Sequence, residues 1–147
     1  MDLSSGINGR VFKVRRKSEI KVPTVSNLFL KSAVVFLLVG LGIGLKMGIS
    51  GNHDLIATHT HVNLLGWVSS ALFGFYYAIN LERARARTAV LHFWSYTSGV
   101  ASMVLGLLLE EIGVQGVEPL IAAGAFTVYA ATLFFAFNLF FIKAKRT

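Results

Sequence analysis

The sequence predicts an all-α fold: an integral membrane bundle of four transmembrane helices that run alternately up and down. Apolar residues make up 54% of the 147 positions and charged residues only 14%, whereas a soluble domain carries about a quarter of charged residues. The apolar residues are gathered into four long runs, and most of the basic residues lie between or beyond alternate runs. These runs take up most of the chain, so no separate soluble domain is expected.

Each of the four apolar runs is long enough to form a membrane-spanning helix. They cover roughly residues 25–47, 57–79, 89–109 and 119–142, and a helix of about 20 residues crosses the hydrocarbon core of a bilayer. Connections of about eight residues make neighbouring helices antiparallel. The predicted organisation is therefore a basic cytoplasmic arm (1–24), a four-helix transmembrane domain (25–142) and a basic cytoplasmic tail (143–147).

The basic residues predict the orientation of this bundle. Twelve of the 14 Lys and Arg residues precede the first helix, connect the second to the third or follow the fourth; Lys31 and Lys46 are the exceptions. By the positive-inside rule both termini are cytoplasmic, in a multi-pass protein of a bacterial or archaeal inner membrane. Topology and contact with anionic membrane lipids account for the net charge of +7, so no nucleic-acid partner is expected.

The residues most indicative of function open the second helix, in the string Ala-Thr-His-Thr-His-Val-Asn-Leu-Leu-Gly-Trp that ends at Trp67. Ionisable side chains at membrane depth usually mark a functional site, and imidazole is the commonest metal ligand. On a regular α-helix His59 and His61 diverge by about 200°, so only one of them is expected to serve a given site. His61 shares its face with Leu65, and His59 shares the opposite face with Asn63, Gly66, Ser70 and Gly74; this geometry favours neither.

One more histidine, His92, falls in a predicted helix, near the start of the third. At about 1.5 Å rise per residue it is some 20 Å from His61 along the membrane normal, so the two cannot share one iron within a chain. We predict that His92 caps its helix or contacts lipid headgroups at the interface. The absence of cysteine excludes thiolate metal sites and covalently attached c-type haem.

The segment His61-Val-Asn63-Leu-Leu65 resembles the His-Thr-Asn segment that opens the second transmembrane helix of subunit I in haem-copper oxidases, particularly the C-type oxidases and nitric oxide reductases. The longer string is similar to short four-helix membrane proteins grouped with that subunit. In the family this histidine is an axial ligand of a low-spin haem b near the outer face. The resemblance therefore implies that His61 binds haem b, in electron transfer or in haem or gas binding.

The chain also departs from that family. Subunit I has about twelve helices, and its copper centre uses three further histidines on other helices, which this chain lacks. A complete oxidase is therefore not expected. The predicted cofactor-binding residues are His61, His59, Asn63, Gly66, Trp67, Ser70, Met47 and Lys46, with His61 and His59 as the metal ligands.

Two other functions remain open from the sequence. The histidines of the outer end, together with Asp54 or the Glu110–Glu111 pair, can be read as a copper or zinc site. Alternatively, the protein is a structural or assembly subunit in which the histidines only form hydrogen bonds between helices. A haem would need a second ligand or an open position, and a redox partner protein is possible.

Stripes of small residues predict close helix packing. Gly40, Gly44 and Gly48 lie four residues apart, as do Gly66, Ser70 and Gly74, and a third stripe contains Ser98, Ser102 and Gly106. Packing within the chain is the first expectation for most of them. Because a four-helix unit has little interior for a macrocycle, we also predict a homodimer or higher homo-oligomer in which one of the first two stripes allows subunits to approach.

Overall fold

The computed structural model describes residues 22–141, which form four long helices and one short one. Their bounds are Thr24–Ser50 (α1), Ile56–Ile79 (α2), Leu81–Ala84 (α3), Arg87–Glu111 (α4) and Glu118–Phe141 (α5). No strand occurs within this range. The predicted all-α fold is thus confirmed for the described residues, and long helices occupy all four predicted segments. The predicted arm, apart from residues 22–24, and the predicted tail lie outside the described residues.

Contacts between the helices show that neighbours run antiparallel. Along α1 and α2, Ser26 donates a hydrogen bond to the Gly74 carbonyl (2.8 Å) at one end, and His59 contacts Gly44 at the other. Along α4 and α5, Gly99 lies against Val128 and Gly106 against Ile121. The predicted alternation of helix direction is therefore present, because residue numbers rise along one helix as they fall along its neighbour.

Three of the helices, α1, α2 and α5, are long and apolar enough to cross a membrane. The fourth long helix, α4, has 25 residues but carries more polar and charged side chains than the others, namely Arg87, Thr88, His92, Ser95, Thr97, Ser98, Ser102, Glu110 and Glu111. Several of these polar groups face the inside of the bundle or bond to their own helix: His92 is buried, and the Ser95 hydroxyl donates to the Leu91 carbonyl.

The small-residue stripes are used mainly for packing within the chain. A Cβ atom added at Gly40 would lie 2.6 Å from the Asn63 amide, and one at Gly44 would lie 2.8 Å from the His59 ring. From the other side, Gly66 faces Phe36 and Gly74 faces Leu30, both on α1. The two stripes that we considered for a subunit contact thus meet one another across the α1–α2 seam. Gly48 is the exception, since an added Cβ there meets nothing within 4 Å.

The middle of α2, Val62–Ser69, is π-helical. Hydrogen bonds in a π-helix run to the fifth residue along instead of the fourth, and such segments are often found at functional sites. Two hydroxyls follow this longer register: Ser69 donates to the Leu64 carbonyl (2.8 Å) and Ser70 to the Leu65 carbonyl (3.5 Å). On α4, Tyr96 also donates to the Leu65 carbonyl (3.1 Å). The π-helix begins one residue after His61, so it sets how the first turn of α2 is rotated against the rest of the helix.

Candidate functional site

The first turns of α2 hold two histidines whose tautomers are fixed by backbone carbonyls. The Nδ1 atom of His61 lies 2.8 Å from the Ala57 carbonyl, and that of His59 lies 3.0 Å from the Gly40 carbonyl. A carbonyl can only accept a hydrogen bond, so in both rings Nδ1 carries the proton. The Nε2 atom of a neutral ring then keeps its lone pair, which is the arrangement usually found in metal-ligating histidines.

The two rings differ in what surrounds them. His59 is directed at α1, where its ring lies close to Gly44, and the Asn63 amide donates to the His59 carbonyl (2.8 Å). His61 makes its hydrogen bond within its own helix and is half-buried. The predicted divergence of the two side chains is therefore present. His59 contributes to the α1–α2 seam through its bond to the Gly40 carbonyl, while the hydrogen bond of the His61 imidazole stays within α2.

The other predicted cofactor-binding residues separate into two groups. Asn63, Gly66 and Ser70 lie on the α1 side of α2 with His59, where Asn63 meets Gly40 and Gly66 meets Phe36. Met47, near the end of α1, is buried as well. Two members are exposed, Trp67 and Lys46. The structure therefore leaves Trp67 as the exposed α2 residue of the predicted set, while His61, His59 and Asn63 are half-buried.

The side chains considered for a copper or zinc site are occupied separately. Among residues 22–141, no group of three or more His, Cys, Asp or Glu residues is placed to hold a metal ion. His53 Nδ1 bonds to the Gly51 carbonyl (3.1 Å), and an Asp54 carboxylate oxygen accepts from the Asn52 amide (2.7 Å). Glu111 accepts two hydrogen bonds from Thr58. Each of these groups has its own hydrogen-bond partner, and the described residues do not bring them together at one point.

The role of Glu111 differs from the metal ligation that its pairing with Glu110 suggested. Its Oε1 accepts from the Thr58 amide (3.1 Å) and its Oε2 from the Thr58 hydroxyl (2.6 Å). Thr58 is fully buried at 0% exposure. The carboxylate thus joins the end of α4 to the start of α2, immediately beside the two histidines. No local pattern signals this contact, because the two residues are 53 positions apart.

The prediction for His92 is wrong. It is 1% exposed and lies inside a cluster of aromatic rings, not at a lipid interface. The rings of Phe73, Phe135 and Phe29 surround it, with centroids 4.6, 5.1 and 5.2 Å from its own. The physical reason is the inner face of α4, which buries a residue every three or four positions, Ala89, His92, Phe93, Tyr96, Val100 and Met103. That spacing was visible in the sequence and would have predicted the burial of His92.

Within this cluster the Nδ1 atom of His92 is hydrogen-bonded to the Tyr77 hydroxyl (3.1 Å), while its Nε2 has no hydrogen-bond partner among the described residues. This hydrogen bond also shows where His92 lies along α2, namely beside Tyr77. Tyr77 follows His61 by sixteen residues on α2, which corresponds to roughly 24 Å of α-helix. His61 and His92 therefore lie too far apart to ligate one iron within a chain, as the sequence indicated.

Comparisons with protein-family models, with curated proteins and with solved structures find no match to this chain. The likeness of the His61–Leu65 segment to subunit I of the haem-copper oxidases stays a prediction from the residues themselves.

Proposed function

We propose that this chain is a haem-b-binding membrane protein in which His61 is an axial ligand of the iron, and that it acts in electron transfer or in binding haem or a gas. The observation that carries the proposal is the hydrogen bond from His61 Nδ1 to the Ala57 carbonyl (2.8 Å). It leaves Nε2 of this half-buried ring without a hydrogen-bond partner among residues 22–141. A haem bound there would supply one-electron chemistry between iron(III) and iron(II).

The positions of the other residues support a haem bound on the side of α2 that faces away from α1. They do not support a haem enclosed within one chain. The opposite side of α2 is closed by α1, where side chains from each helix fill the space above the glycines of the other. The groove formed between α4 and α5 is lined by other residues, including Leu91, Ser95, Phe126 and Phe134. A macrocycle against His61 would have Trp67 nearby, and Lys46 is an exposed cation at the same end that is suited to a propionate.

A single chain would cover a haem on that surface from one side only. We therefore propose a homodimer or higher homo-oligomer in which a second subunit covers the other side. A twofold axis beside α2 would place a second copy of His61 opposite the first, giving a bis-histidine haem shared by two subunits. An open sixth position would instead favour gas binding. Because the glycine stripes, apart from Gly48, pack within the chain, the apolar surface around His61 replaces them as the proposed contact. A monomer in mild detergent with full haem occupancy would show that this part of the proposal is wrong.

The experiment that tests the function is an absorption spectrum of the purified protein in its oxidised and reduced forms, combined with elemental analysis. A Soret band with reduced α and β bands of a b-type haem supports the proposal. Bound copper or zinc without that band would contradict the haem proposal and favour a metal site at the histidines of the outer end. Protein that reconstitutes with neither haem nor metal would contradict both and leave a structural or assembly subunit.

We further propose that α4 spans the membrane together with α1, α2 and α5, with both termini in the cytoplasm. A reporter fused after Thr147 and one inserted between residues 83 and 87 should both report a cytoplasmic location, and one inserted beside Asn52 should report the outside. The physical reason is the attraction of basic loops to the anionic cytoplasmic leaflet, about 1 kcal/mol for each Lys or Arg near its surface. An outward C-terminus would contradict the four-span topology and the outer position of His61.

A further inference from the structure

The start of α2 lacks a capping residue of its own. The N-cap position is Leu55, which makes no side-chain hydrogen bond to the helix, and the first turn holds no acidic residue. The first four amides of a helix have no acceptor within it, and a buried amide without an acceptor is strongly unfavourable. The fully buried Thr58 lies in this turn, so its N–H group needs an acceptor from elsewhere.

Glu111, at the end of α4, supplies that acceptor. Its two carboxylate oxygens accept separately from the Thr58 amide (3.1 Å) and the Thr58 hydroxyl (2.6 Å). Hydrogen bonds to an ionised group are shorter and stronger than neutral ones, and a negative charge is favoured at a helix N-terminus. Glu111 therefore caps α2 across the bundle.

This cap is connected to His61 through a single peptide group. The N–H of Thr58 and the C=O of Ala57 belong to the same peptide unit; Glu111 accepts from its N–H (3.1 Å), and His61 Nδ1 donates to its C=O (2.8 Å). Consecutive hydrogen bonds of this kind polarise one another. A carboxylate that accepts a hydrogen bond from the N–H polarises the peptide and makes its carbonyl a better acceptor, and a better acceptor for Nδ1–H makes Nε2 a more basic ligand.

We infer that Glu111 is a positioning residue for His61: through the Ala57–Thr58 peptide it holds the imidazole in the Nδ1-protonated tautomer, directs Nε2 and raises its donor strength. This rests on the proposed haem function. Among the described residues no hydrogen bond joins the carboxylate to the imidazole, so it acts on Nε2 through the peptide and through its own negative charge. Glu110, the preceding residue, is exposed and provides a matched control in which one acid of the same helix end is removed.

The test compares Glu111→Gln, Glu111→Ala, Thr58→Val and the control Glu110→Ala, each as the full chain in detergent. Glu111→Ala should weaken haem b binding by about 10- to 100-fold, the range typical of losing such an outer partner, and Glu111→Gln should bind better than Glu111→Ala. In the haem-loaded Gln variant the midpoint potential should rise, because an anion is lost and Nε2 donates less strongly. Glu110→Ala should match the wild type.

Thr58→Val separates positioning from stability. It removes the hydroxyl bond to Glu111 but leaves the amide bond and the Ala57 carbonyl in place, so it should lower stability while changing the midpoint potential less than Glu111→Gln does. Equal shifts of potential in these two variants would mean that Glu111 acts only through helix stability, and the inference would be wrong.

A second measurement does not need haem. Nitrogen-15 NMR of histidine in the cofactor-free protein should give His61 as one tautomer, protonated at Nδ1, and a mixture of tautomers in Glu111→Ala. If the wild type gives this signature but never binds haem, the proposed function fails while the peptide connection stands. If haem binds but Glu111→Ala leaves affinity, potential and tautomer unchanged, the inference is overturned.

Discussion

Gly124→Leu should strongly destabilise the pairing of α4 with α5. Gly124 is buried, and a Cβ added there would meet the Met103 backbone amide and would lie 2.8 Å from the Gly99 carbonyl oxygen. Backbone atoms cannot rotate away as a side chain can, so the two helices would have to move apart. Overpacking typically costs about 1–3 kcal/mol, and we expect the upper part of that range. The measurement is the unfolding midpoint in detergent, followed by near-ultraviolet circular dichroism.

The matched control for this prediction is Gly42→Leu. Gly42 is exposed on α1, and a Cβ added there meets nothing within 4 Å. Glycine inside a helix destabilises it by roughly 0.5–1 kcal/mol relative to alanine. This substitution should therefore leave the unfolding midpoint unchanged or raise it slightly. Equal midpoints for Gly124→Leu and the wild type would contradict the close backbone approach between α4 and α5.

Hydropathy predicts the four long helices because each run is long and mostly apolar and the connections are short. It does not predict the π-helix of Val62–Ser69, whose longer hydrogen-bond register leaves no mark in composition. The glycine stripes identified the right residues, Gly40, Gly44, Gly66 and Gly74, because close approach demands a missing side chain. They do not state whether the approaching helix belongs to the same chain, and here it does.

The candidate site was predictable only where its signal is local. The string around His61 contains both the proposed ligand and the carbonyl four residues earlier that accepts from its Nδ1. Glu111 reaches the same turn from a helix end 53 residues away, so its role could be seen only in three dimensions. His92 is a different case, since the three- and four-residue spacing of the buried face of α4 is present in the sequence, and this spacing outweighs its position near a helix start.

His61→Ala should abolish the binding of haem b or reduce it to a small fraction of the wild-type content. The variant removes the imidazole whose Nε2 is free and leaves the Ala57 carbonyl and its helix intact. Insertion should be unaffected, because it depends on the apolar runs. The measurement is the ratio of Soret to protein absorbance in material of equal helix content by far-ultraviolet circular dichroism.

Three further histidine variants locate the ligand. His53→Ala should keep the Soret band, because His53 is exposed in the loop and bonds to the Gly51 carbonyl. His92→Ala should also keep it, because His92 packs against Phe73 and Tyr77, which follow His61 by twelve and sixteen residues along α2. His59→Ala should lower stability through the α1–α2 seam while retaining haem b. Haem at the wild-type level in His61→Ala, together with its loss in His59→Ala, would move the axial ligand to His59. The haem would then have to lie in the α1–α2 seam, where the His59 ring now packs against Gly44. That result would contradict a haem shared by the His61 residues of two subunits.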